Sequence, residues 1–319
     1  MHAAVVHTFG EPPRYESFPE PTAEEGEVMV EVAAAGLHPV VKALASGSHY
    51  ASTDQLPLIP GVDGTGRLDG ARVYFGGPRP PFGTMAERTV VPRSLCVPLP
   101  DDLDDEVAAA MLNPGLSAWL ALRWRAQLTE GETVLVLGAT GAAGQLAVQI
   151  AKQLGAGRVI AAGRDERVLD ALPDLGADAL IQVDQADQDL TDALAGEDGA
   201  FGIDVVIDYL WGRPTEALIV AITRRELTEV EPRVRLIQVG DSAGPTIALP
   251  AEVLRRSGLE VYGSGAGTIS FERVIEALPE FMAHAASGKL RLGVERVPLA
   301  EVGRVWDRVQ RGRRIVLVP

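Results

Sequence analysis

The segment Glu132–Gly144, ETVLVLGATGAAG, constrains this chain more than any other. Thr133–Leu137 is an unbroken run of β-branched and leucine residues. A run this short and apolar reads as a strand buried on both faces, the kind found in parallel sheets. It stops at Gly138. Gly141 and Gly144 then stand as the last two glycines of G-x-G-x-x-G, with Ala139 in the place of the first. QLAVQIAKQLGA follows, with Leu146, Ile150 and Leu154 recurring at helical period and Gly155 at the place of a C-cap. Strand, glycine turn and helix N-terminus in this order make a dinucleotide pyrophosphate site. Glycines admit backbone N–H groups to the phosphates, and the helix N-terminus adds partial positive charge. A glycine motif alone suits a tight strand–helix turn equally well; the strand before it and the amphipathic helix after it favour the nucleotide.

From Thr133 onward strands and helices alternate. Arg158–Ala162, Ala179–Val183, Asp204–Tyr209, Val234–Val239 and Leu259–Ser264 read as further strands. Glu166–Leu172, Leu190–Leu194, Pro214–Thr223 and Ala251–Ser257 read as the helices between them. Six strands so connected predict an α/β fold with a doubly wound, parallel six-stranded Rossmann sheet. Residues 1–112 differ in texture. They are rich in Gly and Pro, with short apolar runs at Ala3–His7, Glu27–Ala33, Arg72–Phe75 and Thr84–Val91. PGVDGTG (60–66) and GGPRPPFG (76–83) read as turns, and His38–Ser46 as the one helix of a small β-rich domain. Beyond Pro98 a helix is expected over Asp104–Leu112, a break at Asn113–Pro114, and a second helix over Leu116–Arg125. The expected domains are 1–112, 113–262 and a tail, 263–319, that rejoins the first. In the tail a long amphipathic helix from Ser270, a strand near Leu292–Val297, a helix near Leu299–Val309 and a strand at Arg314–Val318 are expected.

Charge and composition narrow the partners. The formal charge of −15 disfavours nucleic acid, whose binding requires Lys and Arg to neutralise phosphates. Cys96 is the single cysteine, so an internal disulfide and a cysteine zinc cluster are both excluded. The N-terminal MHAAVVHTFG lacks the basic start and apolar core of a secretory signal, and no apolar run is long enough to span a bilayer. A cytoplasmic protein with no membrane partner is expected.

The second strand is followed by Gly163, Arg164 and Asp165. NAD sites place an acidic residue at the end of this strand for the ribose hydroxyls. Here Gly163 leaves room and the Arg164 guanidinium matches a 2′-phosphate, which favours NADP(H). The alternative for Arg164 is a solvated charge. Asp165 suits either a ribose or, better, the cap of the helix that begins at Glu166.

At this point the residues resemble a family. AAAGLHPVVKALASGSHY (33–50), PGVDGTG, FGTMAERTVVP (82–92), LNPGLSAWLAL (112–122), VLGATGAAGQLAVQIAKQLGA (136–156) and VPLAEV (297–302) are similar, in order, to the zinc-free quinone oxidoreductase branch of the medium-chain dehydrogenase/reductase superfamily. The resemblance implies a GroES-like domain formed by the N-terminal part and the tail. Zinc alcohol dehydrogenases of the superfamily carry a cysteine and a histidine where this chain has Leu37 and Val62. His38, Asp63 and Cys96 are too few and wrongly placed for a catalytic zinc. The branch often has Asn and Asp at the positions of His38 and Val41, and both are replaced here.

The chemistry implied is zinc-independent hydride transfer from NADPH to a small electrophile, a quinone or an α,β-unsaturated carbonyl. For an enone the enolate oxygen needs a donor and the α-carbon a proton. Tyr50 is the first candidate donor and His49 the alternative; a packed loop tyrosine and a surface histidine are the competing readings. Lys42 is weighed for the same role against a solvated helix lysine. For the cofactor, Thr140, Gly141, Ala142 and Ala143 are expected at the pyrophosphate, Leu210 on the adenosine side, and Val239 and Gly240 near the nicotinamide, with Ser264 a further candidate. Asn113 reads either as a nicotinamide-ribose contact or as a helix-break residue. Enoyl-thioester reduction is the runner-up, but Arg224–Arg225 and Arg311–Arg314 read as a solvated face rather than a basic groove. The reading from another class is a non-catalytic NADPH-binding sensor or structural protein. The strand LEVYGS (259–264) would be an exposed edge in a monomer, and in the branch it pairs between copies, so a homodimer is expected.

Overall fold

The computed structural model describes residues 1–224, 232–265, 267–310 and 312–319. They form two compact units, Met1–Asn113 with Leu278–Pro319, and Pro114–Ala277.

The first unit is built on strands. β1 (His2–Val5) and β2 (Arg14–Ser17) pair as a ribbon. β3 (Glu27–Gly36) turns Val28, Val30 and Val32 inward and leaves Met29 and Glu31 exposed, the period of a half-buried strand. Helix α1 (Pro39–Ala45) follows with Pro in its first turn. β4 (Asp63–Leu68), β5 (Ala71–Gly76), β6 (Arg88–Pro92) and β7 (Cys96–Pro98) complete this part of the sheet.

PGVDGTG is not a turn, because its second half is β4, paired with β3 and β5. Its glycines serve close approach rather than chain reversal. A Cβ on Gly64 would lie 2.6 Å from the Ala34 carbonyl oxygen, and one on Gly66 2.2 Å from that of Glu31. β3 crosses here with a bulge between Val32 and Ala34.

The predicted break at Asn113–Pro114 is also absent. Helix α2 (Asp105–Leu120) runs through Pro114 and passes into a π-helical turn, Ala121–Ala126. A proline inside a helix costs about 3 kcal/mol. Here the helix is buried around its circumference, at Ala108–Leu112, Leu116 and Ala118–Leu122, and that burial outweighs the lost backbone bond.

In the second unit β8 (Thr133–Leu137) is buried at every residue. Helices α3 (Ala142–Gln153) and α4 (Glu166–Leu169) flank β9 (Arg158–Gly163). β10 (Ala179–Gln182), α5 (Asp187–Phe201), β11 (Val205–Asp208), α6 (Gly212–Thr223), β12 (Val234–Gln238), α7 (Ala251–Arg256) and β13 (Leu259–Gly263) follow. All six strands are parallel, in the order β10-β9-β8-β11-β12-β13. This is the doubly wound sheet the alternation predicts. α4 is shorter than expected and gives way to a 3-10 turn at Leu172–Leu175, since Pro173 disfavours helical backbone at the residue before it. α5 is longer than expected. Leu135, Leu137, Ile160, Val206, Leu218 and Leu236 anchor the core.

Helix α8 (Phe271–Ala286) begins in the second unit and ends in the first. The rest of the tail belongs to the first unit. β14 (Gly293–Pro298) lies parallel to β15 (Arg313–Val318), which pairs with β3 at Gly36 and Ala35. The expected helix over 299–309 is reduced to a 3-10 turn and α9 (Val302–Val305). Val302, Val305 and Trp306 pack with Val5, Leu37 and Leu317 in the core of this unit.

The substitution Gly66→Ala should destabilise the protein by about 3 kcal/mol through overpacking against Glu31, read from the urea unfolding midpoint. Gly70→Ala, where a Cβ meets nothing within 4 Å but φ is +84°, should cost less.

Candidate cofactor and active site

The strand order of the second unit reverses between β8 and β11, which puts the ligand crevice at the C-terminal ends of these two strands. Gly138, at φ 92°, turns the chain out of β8. The N–H groups of Gly138 and Ala139 both donate to the Ala162 carbonyl at 2.9 Å. Gly141 is the N-cap of α3, and its own N–H donates to the Gly138 carbonyl. A Cβ on Gly144 would stand 2.2 Å from the Gly138 oxygen and 2.6 Å from Ala139 Cα. Only glycine lets α3 approach β8 this closely, which is the role of the third glycine of a pyrophosphate turn. Thr140, Ala142 and Ala143 are half-buried around an exposed Gly141, so the turn presents backbone to solvent and its residues fit a bound dinucleotide phosphate.

Beside it, Gly163 is buried, and a Cβ there would meet Thr140 Cγ2 at 2.3 Å. An acidic side chain at this position would collide with the glycine turn. Arg164 is exposed and its guanidinium makes no ion pair among the described residues. The Asp165 carboxylate accepts from the Val168 N–H at 3.2 Å and caps α4. That is the capping role weighed for it against a ribose contact.

The loop after β11 is anchored by Asp208, which is fully buried. Its Oδ1 accepts from the N–H groups of Leu210 (2.8 Å) and Trp211 (2.9 Å), and its Oδ2 from the Thr215 hydroxyl (2.6 Å). Burial pushes this carboxyl above the usual carboxylate range, and the three hydrogen bonds pull against that. Leu210 packs towards Gly138, within 3.4 Å of where its Cβ would be, so Leu210 sits at the crevice. The Val239 and Gly240 N–H groups donate to the Asp208 carbonyl, and Gly240 lies close against Tyr209. Ser264 is buried, with its N–H on the Gln238 carbonyl. The Tyr209 hydroxyl is buried with no hydrogen-bond partner among the described residues, and burial pushes its pKa up.

Trp211 is unexpected. Among the described residues three non-glycine residues have positive φ: Asp69, Gln127 and Trp211. Asp69 precedes Gly70 in the hairpin between β4 and β5, and Gln127 caps the π-helical turn in the αL region. Trp211 has φ 56° and ψ −163°, a region nearly exclusive to glycine that costs on the order of 1–3 kcal/mol. The sequence signal for this loop is an aspartate closing an apolar strand, the start of an Asx turn.

In the first unit Tyr50 is 75% exposed, with its ring tilted on that of His49 at 4.1 Å. His49 Nδ1 accepts from the Ala51 N–H. Lys42 is half-buried on α1, and its amine is lowered chiefly by burial and also by Arg314, against Asp307. Asn113 is half-buried within α2 and is not at a helix break. His38 and Asp63 are brought together, with Nε2 3.4 Å from Oδ1 and both side chains buried. Asp63 Oδ2 accepts from the Tyr74 hydroxyl at 2.7 Å. Among the described residues no group of three or more His, Cys, Asp and Glu could hold a metal ion. Cys96 is half-buried, its thiol pushed up to about 11 by burial. Arg314 is no solvated charge: it is buried, donates to the Leu37 carbonyl, and burial pushes it down to about 10. Arg224 pairs with Asp192, while Arg225 and Arg311 lie outside the described residues.

Comparison with known proteins agrees with this geometry. Residues 142–283 match the family model of zinc-binding dehydrogenases. The chain is 30% identical to a probable NADPH-dependent quinone reductase of Emericella nidulans, covering 100% of both. It belongs to the quinone oxidoreductase branch of the medium-chain dehydrogenase/reductase superfamily. The quinone oxidoreductase of Thermus thermophilus, solved alone and with NADPH, superposes with a TM-score of 0.82 at 31% identity over 100% of both chains. An NADPH-dependent alkenal/one oxidoreductase of Arabidopsis thaliana is 32% identical over 50% of this chain and 46% of its own length. The part of this family member that matches the zinc-binding family model begins at the glycine turn, beyond the positions of Leu37 and Val62.

Asp208→Ala should leave two buried N–H groups unpaired and destabilise the second unit by about 3 kcal/mol. Asp208→Asn retains an acceptor for both and should cost about 1 kcal/mol, with urea unfolding comparing the two.

Proposed function

We propose that this protein is a cytoplasmic, zinc-independent reductase that uses NADPH to reduce a quinone or an α,β-unsaturated carbonyl, and that it works as a homodimer. The observation that carries the reading is the pairing of a glycine turn open to a pyrophosphate with Arg164, exposed and without an ion partner among the described residues, next to a Gly163 that admits no acidic side chain. The relatives named for NADPH-dependent quinone and alkenal reduction support it. A thioester substrate draws no support from the arginine stretches, since Arg224 is paired and Arg314 is buried.

Bound NADPH supplies the hydride. This chain's residues would hold it: backbone at Thr140–Ala143 would take the pyrophosphate, and Arg164 the 2′-phosphate. Conjugation carries the incoming charge to the substrate oxygen, so a hydrogen-bond donor suffices where a zinc dehydrogenase uses a Lewis acid. Tyr50 is the proposed donor, with its hydroxyl exposed and carrying no hydrogen bond among the described residues. His49, its ring tilted against that of Tyr50, is the second acid of the same loop. Leu37 and Val62 offer no metal ligand. β13 ends the sheet with Val261 40% exposed, an edge suited to pairing with its copy.

After exhaustive dialysis against a chelator, the protein should oxidise NADPH with quinones or enones at an undiminished rate and use NADH poorly. Arg164→Ala should raise the KM for NADPH about tenfold and leave that for NADH unchanged. An equal effect on both would remove Arg164 from phosphate recognition. Tyr50→Phe should lower kcat about a hundredfold, whereas a change under threefold would pass the donor role to His49 or water. Static light scattering at micromolar concentration should give twice the mass of one chain.

A further inference from the structure

Of the 29 Lys and Arg residues in this chain only three are lysines, Lys42, Lys152 and Lys289. A guanidinium stays protonated and is no nucleophile at neutral pH, so these three carry the side-chain amines. Lys152 Nζ is held 2.6 Å from Asp178 and donates to the Gly157 carbonyl. Lys289 is exposed. The Met1 amino group pairs with Glu20 and donates to the Phe18 carbonyl. The single thiol, Cys96, is half-buried and pushed up to about 11. Lys42 differs from all of these. It is half-buried, and its amine makes no hydrogen bond and no ion pair among the described residues.

That amine belongs to a recess of about 250 Å³ in the first unit. Lys42 and Ser46 line it from α1 and its C-cap, Glu11 from the turn before β2, and Trp306 and Asp307 from the end of α9. Trp306 is buried and forms an apolar wall. The Ser46 hydroxyl is already committed, donating to the Ala43 carbonyl at 3.0 Å. Burial, joined by Arg314, lowers the Lys42 amine against the pull of Asp307. A lowered amine is present to a larger extent as the free base, the form that attacks carbon. Glu11 and Asp307 are exposed carboxylates, which repel anionic reagents and leave a neutral electrophile. A neutral molecule with one apolar end and one electrophilic carbon fits this recess.

We propose that Lys42 is a covalent modification site for small α,β-unsaturated aldehydes, with the alkyl end of the aldehyde on Trp306. The Lys42 nitrogen bonds to the β-carbon, the C=C electron pair moves through the carbonyl carbon to oxygen, and the enolate takes a proton from water at the α-carbon. The nitrogen gives up one proton to the carboxylates beside it and so to solvent. The product is a secondary amine bearing a saturated aldehyde. Nothing is oxidised or reduced, and no cofactor takes part. The choice of aldehyde class rests on the reduction reading above, because a reductase of conjugated carbonyls meets such molecules. If that reading fails, enones cause no NADPH consumption; if only the inference fails, NADPH is consumed and Lys42 stays unmodified.

The test is adduct mapping by mass spectrometry. The protein, without NADPH, is treated near neutral pH with a small molar excess of trans-2-hexenal, fixed with borohydride and digested. A parallel sample is labelled in concentrated urea. In the folded protein Lys42 should react about tenfold faster than Lys152 or Lys289, and its product should carry the mass of one whole enal. In urea the three lysines should react within about twofold of one another, since the unfolded chain gives each the same ordinary amine. Lys42→Arg keeps the charge and should lose the fast adduct. Equal rates at the three lysines of the folded protein would overturn the proposal, as would a preference for Lys42 that survives in urea. First adducts on Cys96 or a histidine would also overturn it, and so would a Lys42 product short of one water, which marks an imine formed at the carbonyl. The comparison of folded and unfolded protein stands whether or not Lys42→Arg folds.

Discussion

The second unit depends on one close approach. The first turn of α3 meets the end of β8 with Gly144 against the carbonyl of Gly138, a distance at which no side chain fits. That contact aims the N-terminus of α3 at the crevice and leaves the turn's backbone uncovered. The neighbouring strands fall in around it. Gly163 is buried because Thr140 packs on it, and Leu210 comes within reach because Gly138 has no side chain. The lack of an acidic side chain at Gly163, the end of β9, is thus a packing requirement.

The first unit uses glycine in the same way for a different end. Gly64 and Gly66 let β4 press against β3, and Gly36 lies against the ring of His38. The tight crossing buries a polar group of its own: the Tyr74 hydroxyl on Asp63, the Asp63 carboxylate beside His38, and Thr84 on the Asp63 carbonyl. Burying such groups costs several kcal/mol unless they meet one another. Arg314, from the far end of the chain, ties the same region to the Leu37 carbonyl. His38 Nε2 stands 3.4 Å from Asp63 Oδ1, and Leu37 and Val62, the residues before them, are apolar.

Around Asp208 the chain accepts strain. A buried carboxylate is unfavourable, and so is a tryptophan with positive φ. Each is tolerated because the carboxylate's hydrogen bonds are what hold the tryptophan's backbone. Such mutual support is common where a loop must keep one shape for a ligand.

The sequence by itself determined the alternation of strand and helix, the parallel six-stranded sheet, the glycine turn after its first strand and the glycine in place of an acidic residue at the end of its second strand. These features are written in spacings of two to four residues, so periodicity and a short motif carry them. Only the tertiary structure decided that PGVDGTG is partly a strand, that α2 runs through Pro114, that His38 and Asp63 lie side by side, that Arg314 is buried, and that Trp211 sits in glycine's conformation. Each of these turns on contact between segments far apart in the chain. Glycine reads as a turn until a neighbouring strand shows that it marks an approach. Proline reads as a break until burial on every side outweighs the lost hydrogen bond.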